Sequence, residues 1–290
     1  MEPAIQVTQK FWLNISEVSG LGWRLHPRTG LPDLLAVSDA EDTLLTAAFN
    51  GGGIQGAYNK VSNLPHGLRS ERRAEWEAVA GDAAGRVLIV HETGSGLVVL
   101  APDLSFERRV TLKHDWSSST HYGLESLLLL RHGHLLSAKQ ENPVVLLEFA
   151  PKGERARGFG PDQLLGDHES FDLSNTDREL HQVKVWDLAG ATEDLASIND
   201  LALDQNRNVM AISSKSRRVV RLEHAGPADD HVGMHAYWDF GIEDLGETED
   251  VHAGAEGLLI HPQLGSFISI DTQKRDIPNL FRVTAPWGQG

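Results

Sequence analysis

The chain has 290 residues, of which 40% are apolar, so it is long enough to bury a large core as one domain over residues 1–290. Its formal net charge of −15 argues against a protein that binds nucleic acid or an anionic membrane non-specifically, and we expect neither as a partner. The sequence has no cysteine, which excludes disulfides, thiolate metal sites and a cysteine nucleophile.

The start of the chain gives an expectation about location. Residues 1–10 lack a basic leader followed by an apolar stretch, and no run of about 18 apolar residues occurs anywhere. We expect a soluble, cytoplasmic protein, although a leader that had already been removed would leave no trace.

Similar segments recur along the chain at intervals of about 50 to 75 residues, which is typical of an array of one repeated unit. Each segment is followed by a turn and a second apolar run, and the segments begin at Ser19, Glu77, Glu125, Asp200 and Glu256. Units of this length with four short strands are typical of propeller blades. The sequence therefore predicts an all-β fold, a single β-propeller with five blades.

Alternating apolar residues and turn residues place the strands in chain order. The predicted strands are 21–24, 34–38, 43–49 and 59–63 in blade one, 77–81, 87–91, 97–100 and 108–112 in blade two, 125–130, 135–139, 144–149 and 183–188 in blade three, and 201–204, 209–213, 219–222 and 235–240 in blade four. The last unit has only three strands after Glu256, ending at 279–284. We predict that the N-terminal stretch around residues 6–13 supplies its fourth strand and closes the ring.

Residues 153–182 interrupt blade three. They are rich in Gly, Asp, Glu and Arg and show little periodicity, which favours a surface excursion between two strands. A degenerate sixth blade is the alternative interpretation.

The repeat also predicts a functional site. The innermost strand of a blade and its neighbour run in opposite directions, so the start of the first strand and the end of the second meet at one face. The first tier at this face is Ser19, Glu77, Glu125, Asp200 and Glu256, and the second tier is Ser38, His91, Lys139, Ser214 and Asp271. The first tier carries four carboxylates and no positive charge, and such a cluster needs a cation or protons.

Oxygen ligands without sulfur suit a divalent cation, with Ca²⁺ as the first expectation and Mg²⁺ or Mn²⁺ as alternatives. The predicted metal ligands are Glu77, Glu125, Asn199, Asp200, Glu256 and Asp271. Lys139 in the second tier offers an alternative, because its ammonium group together with water could neutralise the acids without a metal. An error in the alignment of the units is the third interpretation.

Segments 75–92 and 125–149 resemble blades of the SdiA-regulated and esterase-like-phytase group of bacterial propellers. The Glu256-Gly257-Leu258 start resembles the gluconolactonase-like calcium propellers. This resemblance implies that acids at blade starts line an axial pocket and that some members bind a divalent metal, which carries over to Glu77, Glu125 and Glu256. Ser19 departs from the pattern, since blade one lacks its acid.

Loops on the same face add candidates for chemistry. His121, His252 and Lys139 are candidate catalytic residues that could move protons beside the acids. The predicted substrate-binding residues are His91, Trp116, Tyr122, Asn142, Lys215 and Arg275. Solvated acidic loops and paired surface charges are the plainer interpretation of the same segments.

Two functions fit this pattern. The first is a divalent-metal-dependent hydrolase of a phosphoester or lactone, with a small-molecule substrate in the axial pocket. The second is a non-catalytic propeller that binds a ligand or a protein, with a structural ion or water network on its axis.

Overall fold

The computed structural model describes residues 5–50, 53–62, 75–92, 96–115, 123–141, 143–188, 195–241, 254–272, 277–285 and 287. Nearly all regular structure in these residues is β, apart from a 3-10 turn at Arg131–Gly133. In chain order the strands are β1 (Gln6–Phe11), β2 (Val18–Leu25), β3 (Pro32–Ser38), β4 (Thr43–Asn50), β5 (Gly53–Ser62), β6 (Trp76–Gly81), β7 (Val87–His91), β8 (Gly96–Leu100), β9 (Phe106–Lys113), β10 (Leu128–Leu129), β11 (Leu135–Lys139), β12 (Val145–Pro151), β13 (Glu179–Leu188), β14 (Asp200–Leu203), β15 (Val209–Ser213), β16 (Arg218–Leu222), β17 (His231–Val232), β18 (Met234–Asp239), β19 (Ala255–His261), β20 (Gly265–Ile270) and β21 (Leu280–Thr284).

The strands pair as antiparallel four-stranded meanders. These are β2–β5 (meander one), β6–β9 (two), β10–β13 (three), β14–β15–β16–β18 (four) and β19–β20–β21–β1 (the last). Meanders two and three join into one sheet because β9 and β13 pair in parallel at their outer edges. The N-terminal strand β1 pairs with β21, so the prediction that the chain start completes the last unit is confirmed.

The predicted strands agree with this topology except at a few boundaries. In meander three the innermost strand is regular only at Leu128–Leu129, with an isolated bridge from Leu124 to Lys139. Strand β13 is longer than predicted and begins at Glu179. No helix in the part of the chain that the structure describes is long and apolar enough to cross a membrane.

Successive meanders pack face to face through separate apolar clusters, and the last meander packs on the first. Neighbouring residues of a strand point to opposite faces, so one strand serves two clusters. In β3, Leu34 joins Phe267 of the last meander, whereas Leu35 joins Ile89 of the second. The units therefore close into a ring around one axis, with the innermost strands β2, β6, β14 and β19 nearest the axis.

Segment 153–182 runs from the end of β12 into β13, and some of its side chains are buried. Phe159, Leu164 and Phe171 are buried, and the Leu165 amide donates to the Leu129 carbonyl at 3.0 Å. The sequence periodicity did not indicate this burial, because the segment forms no long strand. Its buried apolar residues are isolated along the chain rather than regularly spaced. It packs against the innermost strands at the end of the axis where those strands finish.

The innermost strands approach one another too closely for a side chain at Gly22. A Cβ atom there would lie 2.3 Å from the Val79 carbonyl oxygen. We predict that Gly22→Ala lowers the free energy of unfolding by about 2 kcal/mol through overpacking, measured by urea denaturation. Gly160→Ala is the matched control, because nothing lies within 4 Å of a Cβ at that position. Equal losses for the two variants would contradict this packing of β2 on β6.

Candidate functional site

Three of the five first-tier residues sit at irregular points of their strands. The β2–β3 register skips Ser19, the β6–β7 register skips Glu77, and the β19–β20 register skips Glu256 together with Gly257. A bulge leaves the extra residue unpaired and turns its side chain in a new direction. The same local irregularity therefore positions Ser19, Glu77 and Glu256. Asp200 instead pairs regularly with Ile212, and Glu125 precedes β10.

A series of hydrogen bonds between loops fixes the face on which these residues lie. Each bond runs from a backbone amide of one loop to its neighbour, and all are between 2.8 and 3.1 Å: Glu17 to Thr272 O, Asp39 to Glu17 O, Glu75 to Asp39 O, Glu92 to Glu75 O, and Gly123 to Glu92 Oε1. Glu17 and Glu75 reach this geometry with positive φ angles of 46° and 53°. The series links the last meander to the first, second and third, and it brings acids from different meanders to one end of the axis.

Glu77 and Glu125 show that the acids converge. Burial raises the pKa of Glu77 well above its usual value, and the charges of Asp39, Glu92, Glu256 and Asp271 raise it further. Burial likewise raises the pKa of Glu125, with added repulsion from Glu77, Glu92, Glu256 and Asp39. We call the set Glu77, Glu125, Glu256, Asp271, Asp39, Glu92 and Glu17 the acid cluster. Such a set is stable only with protons or a cation among its oxygens.

Glu256 has its pKa raised to about 8, first by burial and then by the charge of Asp271. The Asn199 Nδ2 donates to its Oε2 at 2.5 Å, which opposes this rise. The Asn199 Oδ1 accepts from the backbone and hydroxyl of Ser214 at 2.9 and 3.0 Å. The structure therefore turns the amide nitrogen of Asn199, rather than the predicted carbonyl oxygen, toward the acid cluster.

Asp200 ties three innermost strands together. Its Oδ1 accepts from the Leu201 amide at 2.8 Å, and its Oδ2 accepts from the amides of Leu258 and Leu21 at 3.0 and 3.4 Å. Burial raises its pKa, and these three bonds oppose the rise. Asp200 thus lies beside Glu256 on the axis, but its oxygens already serve the backbone.

Lys139 supplies a positive charge next to this cluster. Its side chain is buried and donates to the Glu141 carbonyl oxygen. Burial lowers its pKa, while the charges of Glu141 and Glu125 act in the opposite direction. Lys139 therefore lies near Glu125, where the second tier was predicted to meet the first.

Three acids of the cluster were missed by the sequence analysis. Asp39 and Glu92 directly follow the second-tier residues Ser38 and His91. Carboxylate oxygens of Glu17, Asp39 and Asp271 lie within 4.8 Å of one another, a spacing that one cation can bridge. Extending the comparison of repeats by one residue past each second strand would have revealed the first two.

Other predicted residues have plainer surroundings. His91 is buried and its ring meets the edge of Trp76 at 4.9 Å between centroids, as expected of a core side chain. The Lys215 ammonium pairs with Glu141 Oε2 at 2.5 Å. The predicted residues Trp116, His121, Tyr122, Asn142, His252 and Arg275 lie outside the described residues.

Comparison with known proteins identifies the fold. No protein-family model and no curated protein matches the sequence. Among solved structures, the chain is similar to a glutaminyl cyclase of Myxococcus xanthus, with 15% identity, a TM-score of 0.54, and coverage of 98% of this chain and 97% of the other. It is also similar to a streptogramin B lyase (8% identity, TM-score 0.52, 98% of each chain) and to a luciferin-regenerating enzyme (11%, 0.51, 99% of this chain and 96% of the other). At these identities the likeness shows the fold alone, and that fold is the β-propeller.

Proposed function

We propose that this protein is a five-bladed β-propeller that binds a divalent cation, Ca²⁺ in the first place, in its acid cluster and uses it to hydrolyse a phosphoester or a lactone. One observation carries the proposal: carboxylates from different meanders lie close enough on the axis to raise one another's pKa. The ring of meanders with its N-terminal closing strand supports the blade count. The resemblance of segments 75–92 and 125–149 to the SdiA-regulated and esterase-like-phytase propellers favours the same class.

The residues present fit a hard cation. The cluster offers carboxylate oxygens only, which is the donor set that Ca²⁺, Mg²⁺ and Mn²⁺ prefer. Glu77, Glu125, Glu256 and Asp271 are the proposed ligands, to which we add Asp39. Without a cation, burial and mutual repulsion favour the protonated form of these groups, as the raised pKa of Glu77 and Glu125 indicates.

A divalent cation bound here would polarise the substrate oxygen and favour ionisation of a bound water. The protein's own contribution is to hold the oxygens in place through the loop hydrogen bonds from Glu17 to Gly123. We assign to Lys139, whose pKa is lowered by burial, the transfer of a proton beside Glu125. His121 and His252 remain proposed proton carriers, and Asn142 and Arg275 remain proposed substrate contacts.

The non-catalytic alternative has its own supporting observation. The side-chain oxygens of Asn199 and Asp200 already accept hydrogen bonds from the protein. The Asp200 carboxylate accepts from backbone amides of three strands. A network whose polar groups are all hydrogen-bonded can hold the blades together at the axis without a catalytic role. Under this reading the cluster binds a structural ion or protons, and the protein recognises a small molecule or a partner.

Hydrolysis assays separate these functions. We predict that protein loaded with Ca²⁺ hydrolyses either a chromogenic aryl phosphate or an aliphatic γ-lactone, and that chelator abolishes the rate. Glu125→Gln should lower that rate at least about tenfold because it removes a cluster charge. Glu154→Gln is the control, since this exposed acid pairs only with Arg157 among the described residues. Metal-dependent binding without turnover of either substrate class would favour the structural ion.

A further inference from the structure

A second compartment lies on the axis, at the end opposite the acid cluster. It is a cavity of about 380 Å³ reached where the innermost strands end. Its walls are largely apolar and come from every meander: Leu21, Val79, Leu127, Leu129, Leu201 and Leu258. The Asp200 carboxylate separates the compartments, because it accepts the amides of Leu21, Leu201 and Leu258 from the side of the acid cluster.

His261 is a buried polar residue that lines this cavity. It is 6% exposed, and its Nδ1 accepts the amides of Gln263 and Leu264, each at 3.2 Å. An Nδ1 that accepts these bonds carries no proton, so the hydrogen of the neutral ring is on Nε2. Burial lowers the pKa of His261, which favours that neutral ring. Among the described residues, Nε2 has no hydrogen-bond partner.

Trp23 completes the polar end of the cavity. Its ring packs against His261 with centroids 4.6 Å apart and planes tilted by 55°. No described residue accepts a hydrogen bond from its indole nitrogen. The cavity therefore combines apolar walls with a few polar side chains, among them the N–H donors of His261 and Trp23, which is the arrangement of a small-molecule site.

The charges around the cavity select against anions. Asp82, Asp167 and Asp204 line it, and the charge of Asp82 is balanced by Arg86 at 2.9 Å. Arg207 is its only lining arginine or lysine in the described chain and already donates to the Leu164 carbonyl. Asp167 and Asp204 therefore leave the lining with a negative balance. Donors that face a cavity of negative character favour an uncharged acceptor. The volume lies at the low end for ligand pockets, so the molecule is small.

We propose that this lower cavity binds a small, neutral, mostly apolar molecule whose one hydrogen-bond acceptor, such as a ketone or ester oxygen, receives the His261 Nε2 proton. The site is separate from the acid cluster and independent of any cation there. Binding involves no covalent step.

Calorimetric titration with three probes tests this proposal: 2-octanone, octanoate and octane. We expect 2-octanone to bind saturably to the wild-type protein, with the other two binding about fivefold or more weakly because one lacks an acceptor and the other is charged. Ala80→Leu fills the cavity and should abolish binding. Glu125→Gln should leave the binding of 2-octanone unchanged.

Two substitutions at His261 separate its donor from its role in the turn. His261→Asn keeps an oxygen that can cap the turn but loses the inward donor, and it should weaken binding of 2-octanone about fivefold. His261→Gln restores a donor near the Nε2 position and should recover most of the affinity. Thermal melts show that each variant is folded. The proposal is overturned if 2-octanone does not bind, if octanoate or octane binds equally well, or if neither Ala80→Leu nor His261→Asn weakens the complex.

Discussion

Replacing Glu256 by glutamine is expected to stabilise the cation-free protein at neutral and alkaline pH. The pKa of Glu256 rises from an ordinary 4.5 to about 8 on folding, so the folded protein keeps a proton that the unfolded chain releases. Stability from this group is therefore present below the unfolded pKa and is lost as pH rises from about 4.5 to about 8. Glutamine keeps the Asn199 contact without the charge. Because the Glu256 side chain is partly accessible, we expect Glu256→Gln to raise the free energy of unfolding by on the order of 2 kcal/mol at pH 7.

The measurement is a series of melts between pH 5 and pH 8.5 in the presence of chelator. The melting temperature of the wild-type protein should fall as the pH rises through this range, and that of Glu256→Gln should fall less. Added Ca²⁺ should reverse the wild-type trend, because the cation needs carboxylates without protons. A wild-type melting temperature that rises steadily with pH in chelator would contradict the raised pKa values.

Replacing Glu148 by alanine is expected to cause the largest loss of stability, about 3 to 5 kcal/mol. This carboxylate is fully buried on β12 and accepts from His134 Nδ1 at 2.6 Å, from the Arg157 amide at 2.9 Å and from the Gly158 amide at 3.0 Å. Alanine leaves these buried donors without an acceptor. Since Arg157 and Gly158 begin the partly buried segment between β12 and β13, hydrogen exchange should rise there first.

Glu154→Ala is the matched control for this prediction. Its carboxylate lies in the same segment but is exposed and meets Arg157 at 3.3 Å, so removing it should change the free energy of unfolding by less than about 1 kcal/mol. Urea denaturation of both variants measures the difference. Similar losses for the two would show that the Glu148 network does not anchor the segment.

The sequence predicted the repeat, the strand order and the closing strand because each depends on local periodicity. It also aligned Glu77 and Glu256, since bulges at equivalent positions keep the repeat in register. The roles of Asn199 and Asp200 could not be predicted in this way. Which of their atoms faces the axis depends on contacts with Ser214, Leu258 and other residues distant in sequence.

The segment between β12 and β13 illustrates the same limit. Polar composition suggested a surface excursion, but Phe159 and Phe171 are buried against the blades, and Phe171 donates its amide to Asp82 at 2.9 Å. Aperiodic chain gives no signal for such packing. The lower cavity escaped prediction for a related reason, because His261, one of its polar residues, also caps a turn and resembles a simple turn residue in sequence.

Binding of a divalent cation by the acid cluster can be measured directly. Calorimetric titration of chelator-treated protein with Ca²⁺ at pH 7.5, beside Glu77→Gln, tests it most directly. We expect saturable binding to the wild-type protein, a higher melting temperature with Ca²⁺, and binding weakened roughly tenfold or more in Glu77→Gln. No saturable heat and no melting shift with Ca²⁺, Mg²⁺ or Mn²⁺ would contradict it, and protons with Lys139 would then be what balances the acids.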